Sequence, residues 1–185
     1  MSRTESRMLP LGTPAPDFRL PDTVSSEMLS FEDIAGSEAT LVMFICNHCP
    51  FVKHVLDELV RLGNDYDRGR VGVVAISSND VTGYPQDRPE RMAELARSKR
   101  FPFPYLFDES QNVARAFGAA CTPDFYVFGG DRRLAYRGQL DDSRPGNDKP
   151  VTGRDVRAAL DALQAGLPIT EDQKPSIGCN IKWKE

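Results

Sequence analysis

Residues 40–46, TLVMFIC, form an almost unbroken apolar run that is short and rich in β-branched and aromatic side chains. This pattern predicts a strand buried on both faces. VGVVAIS at 71–77 repeats it. Between them, apolar residues stand at 51, 52, 55, 56, 59, 60 and 62. Pairs recurring at that interval predict a helix from Pro50 to about Tyr66 with one buried face. Pro50 suits the first helical position, where its missing N–H would have no partner anyway. Two such strands joined by a helix run parallel with a right-handed crossover.

The flanking segments complete the pattern. APDFRLPD (15–22) and MLSF (28–31) read as short strands around a turn, followed by a helical turn over 32–36. Residues 77–89 are a turn-rich loop, and Pro89 to about Ser98 is a helix. FPFPYLFD (101–108) is too proline-rich for a central strand. Ser110–Phe117 reads as a short helix stopped by Gly118. DFYVF (124–128) and RLAYRG (133–138) flank Gly-Gly-Asp, a hairpin signal. Thr152–Gln164 is the last helix, with Thr152 as its cap and Gly166 as its stop. We therefore expect a flexible arm over 1–14, one domain over 15–166, and a tail over 167–185 packed on that domain. The order of elements implies an α/β fold, a central mixed β-sheet flanked by helices.

Composition narrows the function. The chain has 185 residues, a net charge of −4 and a pI near 5.3. No Lys/Arg cluster marks it for nucleic acid or an anionic membrane. No signal-length apolar segment or membrane span is present, so a cytoplasmic protein is expected. Four cysteines, Cys46, Cys49, Cys121 and Cys179, are too few for a disulfide scaffold. In a reducing compartment paired cysteines serve catalysis, redox sensing or metal binding.

The pair in Cys46-Asn47-His48-Cys49-Pro50 sits where the buried strand hands over to a helix. Helix N-termini carry unpaired N–H groups and partial positive charge, which stabilise a thiolate. C-x-x-C spacing there allows a disulfide to close. Cys46 reads as the attacking thiolate, Cys49 as the resolving thiol, and His48 as a group that tunes them. A structural zinc site would need a second ligand pair at suitable spacing, which the chain lacks; no metal and no cofactor is expected. His54 reads as solvated on the helix's charged side.

GTPAPDFRLPD, FICNHCPFVK and AFGAACTPDFYVF together resemble the thioredoxin superfamily, more narrowly its peroxiredoxin-like branch, the AhpC/TSA type. DDSRP and PSIGCNIKWK are similar to stretches in a narrow subgroup of that branch with the same CNHCP motif. The resemblance implies a thioredoxin-like fold with an N-terminal β-hairpin extension. It also implies a cis proline at Pro123 facing the cysteines. Thr122, Pro123 and Cys121 would then shape a groove whose backbone pairs with a bound thiol peptide. The chain departs from thioredoxin in having Asn-His between its cysteines. No carboxylate precedes them over residues 40–45.

The resulting expectation is thiol–disulfide exchange with protein or small-molecule thiols and disulfides. A thiol-dependent peroxidase acting on hydroperoxides is the alternative. However, neither cysteine has the P-x-x-x-[T/S] that peroxiredoxins place before theirs. A Cu(I)-binding thioredoxin-fold protein is a further alternative. Arg144 and Cys179 are auxiliary candidates, the former as a guanidinium near the site and the latter as a relay thiol or a tail anchor. The oligomeric state is left open.

Overall fold

The computed structural model of the protein describes residues 3–184. The strands are β1 (Arg3–Glu5), β2 (Arg19–Pro21), β3 (Met28–Ser30), β4 (Ala39–Phe44), β5 (Val71–Ser77), β6 (Tyr105–Phe107), β7 (Cys121–Thr122), β8 (Asp124–Gly129), β9 (Leu134–Gly138) and β10 (Ile177–Asn180). The helices are α1 (Phe31–Ile34), α2 (Pro50–Asp65), α3 (Pro89–Lys99), α4 (Asn112–Ala116) and α5 (Arg154–Gln164). No helix among the described residues is long and apolar enough to cross a membrane.

The central sheet has the order β6-β5-β4-β8-β9. β4, β5 and β6 are parallel, whereas β8 and β9 run antiparallel to their neighbours. β4 lies in the middle, and all six of its residues are buried. Successive side chains of a strand point to opposite faces. Leu41 and Met43 pack with Val52, Leu56 and Leu59 of α2 and Leu160 of α5. Val42 and Phe44 pack on the other face with Phe18, Phe31 and Phe117. Each such side chain contributes roughly 1.5–3 kcal/mol on burial. This two-sided burial is why the strand is apolar at every position but Thr40, whose Oγ1 accepts the Gly36 amide at 3.2 Å.

The proline-bearing stretch supplies no central strand: β6 is an edge strand that begins beyond Pro104, where proline does no harm. Two readings are corrected. Thr152 does not cap α5. Gly153 is the N-cap residue at φ 66°, and the Asp141 carboxylate accepts the Thr152 and Gly153 amides at 2.7 Å each. The tertiary structure brings this carboxylate in beside the Thr152 hydroxyl, which accepts the Arg154 amide at 3.3 Å. The arm is also not loose throughout, since β1 pairs with β10, Arg3 opposite Cys179 and Glu5 opposite Ile177.

β10 in turn pairs with β7, placing Cys179 opposite Thr122. This small sheet, β1-β10-β7, lays the tail across the cysteine loop. Further bonds pin it: Ile181 N–H donates to Ala120 O at 3.0 Å, and Lys182 N–H to Asn79 Oδ1 at 2.9 Å. Gln111 Nε2 donates to Lys182 O at 2.8 Å. The Arg115 guanidinium lies 4.4 Å over the Trp183 ring.

Candidate active site

The site begins where β4 ends. Ile45 N–H still bonds to Ile76 O at 3.0 Å, so Cys46 leaves the sheet from a fixed point. Cys49 is the N-cap of α2, with Pro50 next. Both cysteines are buried. Across from them the Thr122–Pro123 peptide bond is cis. Cys46 Sγ lies 3.4 Å from Thr122 Oγ1, and Cys49 Sγ lies 3.2 Å from Thr122 O.

Cys179 enters the same cluster, its Sγ 2.8 Å from Cys49 Sγ. As a thiol, Cys49 donates to Thr122 O. Ionised, it accepts from its neighbours. Its pKa is lowered to about 5, by the hydrogen bond from the Cys46 thiol above all, then by the Cys179 thiol and the Val52 amide in the first turn of α2. The Cys46 thiol is pushed well up by the bond it gives to Cys49, by burial and by the charge of Asp87. Burial and the bond to Cys49 push Cys179 up to about 12. The cluster thus concentrates one negative charge on Cys49 and shares it through sulfur–sulfur hydrogen bonds.

The loop between the cysteines is organised by a residue that sequence reasoning missed. Asp87, fully buried, accepts the Asn47 amide at 2.8 Å and the His48 amide at 3.3 Å on Oδ1. Its Oδ2 accepts His48 Nδ1 at 2.7 Å and Asn79 Nδ2 at 2.8 Å. A carboxylate only accepts, so the His48 proton is held on Nδ1. Nε2 is buried and has no hydrogen-bond partner among the described residues. The imidazole stacks on Tyr84 at 5.1 Å between centroids, and Tyr105 Oη donates to Asn47 Oδ1 at 3.1 Å. β4 carries no carboxylate, as its sequence showed. The acid comes instead from the loop before α3, and nothing in PQDRP announces that role.

A second buried carboxylate, Asp124, follows the cis proline. It accepts Tyr126 Oη at 2.9 Å and the Phe125 amide at 3.2 Å, and burial raises its pKa to about 8. Cys121 points its thiol at Pro123 O, 3.7 Å away, and burial raises its pKa strongly.

Arg144 makes its hydrogen bonds to the loop around it. Its guanidinium donates to Asp141 O, Ser143 O and Gln139 Oε1, on the rim of a narrow crevice shared with Pro123 and Phe51. His54 is not solvated as expected, for its Nε2 lies 2.7 Å from Ser143 Oγ. Cys46, His48 and Asp87 bring potential ligand atoms within 4.8 Å of one another. Both Asp87 oxygens and His48 Nδ1 are engaged by hydrogen bonds, whereas His48 Nε2 has no partner among the described residues.

A central mixed sheet flanked by helices, with C-x-x-C at the end of its middle strand, defines a thioredoxin-like fold. The AhpC/TSA family model matches residues 11–137, and the chain belongs to that family. An uncharacterized conserved protein from Geobacillus kaustophilus is 58% identical, with a TM-score of 0.97 over 100% of this chain and 97% of that one. A hypothetical protein from Sinorhizobium meliloti 1021 is 48% identical, with a TM-score of 0.95 over 98% of each chain. The peroxidoxin BcpB from Mycobacterium tuberculosis, 20% identical over 84% of this chain and 96% of that one, shares the fold at a TM-score of 0.62. No curated protein matches the sequence. The family is one of thioredoxin-like redox proteins.

Proposed function

We propose that the protein is a thiol–disulfide oxidoreductase in which Cys46 attacks and Cys49 resolves. The observation that carries this reading is the placement of both sulfurs against Thr122, one on its hydroxyl and one on its carbonyl, at the start of α2. Cys49 lies against Thr122 O and Cys179, which supports Cys46 as the entry sulfur. Attack begins when the Cys46 proton passes to Cys49 along their shared hydrogen bond. The Cys46 thiolate then displaces one half of a disulfide as a thiolate and forms a mixed disulfide. Cys49 attacks Cys46 Sγ, releases the second half, and leaves a Cys46–Cys49 disulfide. His48, oriented by Asp87, holds the loop and keeps an accepting nitrogen beside it.

Thr122 contributes its hydroxyl to Cys46, but its backbone is already paired with β10. An extended peptide therefore cannot add a strand there while the tail is in place. Compact, small-molecule disulfides suit the site best. Peroxide reduction is the weaker reading, because Arg144 is committed to loop carbonyls and no hydroxyl residue stands three positions before either cysteine.

The test is turnover of a small disulfide such as hydroxyethyl disulfide by the fully reduced protein, compared with hydrogen peroxide. Cys46→Ser should lower disulfide turnover by at least about 100-fold, since a serine hydroxyl is not ionised at neutral pH and the thiolate is the nucleophile. Full turnover by that variant would refute the role of Cys46. Rapid, saturating peroxide consumption would replace this reading with the peroxidase.

A further inference from the structure

Resting on the reading above, we propose that Cys179 is a third redox-active thiol, which takes the disulfide over from Cys46 by attacking Cys49 and holds it as a Cys49–Cys179 bond. Three independent features place it there. The two sulfurs are 2.8 Å apart, closer than the ~3–3.5 Å of a near-attack arrangement. Cys179 stands opposite Thr122 in strand register, where the strand of a bound thiol substrate would run. The approach is also built in at Gly178, where a Cβ would come 1.9 Å from Thr122 O, so only glycine lets the tail lie this close.

The surrounding structure holds that register. Cys179 pairs with Arg3 on its other side. The tail is also tied to the cysteine loop through Lys182, Asn79 and Asp87. That chain ends on the Asn47 amide between the two site cysteines. The tail therefore supplies a permanent sulfur to the resolving cysteine, in addition to closing the peptide edge.

The exchange balances without a further reagent. A disulfide substrate first oxidises the Cys46–Cys49 pair, as proposed above. The Cys179 sulfur then gives up its proton and attacks Cys49 Sγ. The Cys179–Cys49 bond forms as the Cys46–Cys49 bond breaks, and Cys46 leaves with the electron pair and takes up the proton. The protein remains oxidised by two electrons throughout, and Cys46 is restored as a thiol beside Thr122.

The experiment uses full-length reduced protein, one equivalent of hydroxyethyl disulfide, an acid quench, alkylation of remaining thiols and mass mapping of the linked peptides. The expected result is a Cys49–Cys179 cross-link with Cys46 alkylated, lost in Cys179→Ser, where only the Cys46–Cys49 pair closes. In Cys46→Ser the cross-link should form at least about tenfold more slowly, because the entry thiol is gone. Oxidised wild-type protein holding only Cys46–Cys49, with Cys179 alkylated, would overturn the inference and leave the oxidoreductase reading standing. A cross-link formed at the wild-type rate in Cys46→Ser would overturn the order of the relay. No disulfide at all would overturn the oxidoreductase reading and this inference with it.

Discussion

Asp87→Asn is the substitution that most directly probes how the cysteine loop is held. In the native site four hydrogen bonds converge on one buried carboxylate: two loop amides on Oδ1, His48 Nδ1 and Asn79 Nδ2 on Oδ2. An asparagine carbonyl can keep the two amides. Its NH₂ then faces two donors. His48 can move its proton to Nε2 and accept, but Asn79 Nδ2 is left without an acceptor. Hydrogen bonds to charged groups contribute about 1.5–3 kcal/mol each, and a buried donor left unsatisfied costs about 1–3 kcal/mol. The expected destabilisation is about 2–4 kcal/mol, read by urea unfolding of the reduced protein. The same substitution removes a negative charge that opposes ionisation of Cys46. The Cys46 titration should therefore move to lower pH, which alkylation of a Cys49→Ser background would report. A loss below about 1 kcal/mol together with an unmoved Cys46 titration would refute the assignment of Asp87 as the loop's anchor.

Three further outcomes are expected. Thiolate ultraviolet absorbance of the reduced protein should show a step near pH 5 that is absent in Cys49→Ser; a first step near the ordinary cysteine value of ~8.5 would contradict the shared-charge cluster. Asp124 should make stability fall with pH. Unfolded it titrates near ~3.9, while folded it keeps its proton to about pH 8. Between these values the folded state binds more protons, so stability declines by at most about 1.4 kcal/mol per pH unit and levels off above pH 8. Asp124→Asn should flatten that slope in urea unfolding series, and an unchanged slope would place the effect elsewhere. Gly178→Ala forces Cβ against Thr122 O and should shift the tail strand. The expected losses are lower stability and a slower Cys49–Cys179 cross-link under oxidation. Wild-type behaviour in both would show that the close approach is not required.

The sequence alone determined the elements whose signal is local. β4 and β5 were legible because both of their faces are buried, so they are almost wholly apolar, and α2 because its one buried face repeats with the helical period. The C-x-x-C at their junction, and Thr122–Pro123 as its partner, followed from motif and resemblance. What the tertiary structure decided depends on residues far apart in the chain. Asp87 lies 40 residues from Asn47, and no spacing rule connects a loop aspartate to a backbone amide across a sheet edge. Asp141 at the start of α5 was illegible for the same reason: a charged acceptor delivered by the fold takes the Thr152 and Gly153 amides, beside the Thr152 hydroxyl on the Arg154 amide. The tail is the clearest case. IGCN shows no periodicity in so short a stretch, and its strand exists because Arg3–Glu5 on one side and Cys121–Thr122 on the other offer unpaired backbone edges. That pairing, and the absence of a side chain at Gly178, are what bring the sulfur of Cys179 to Cys49.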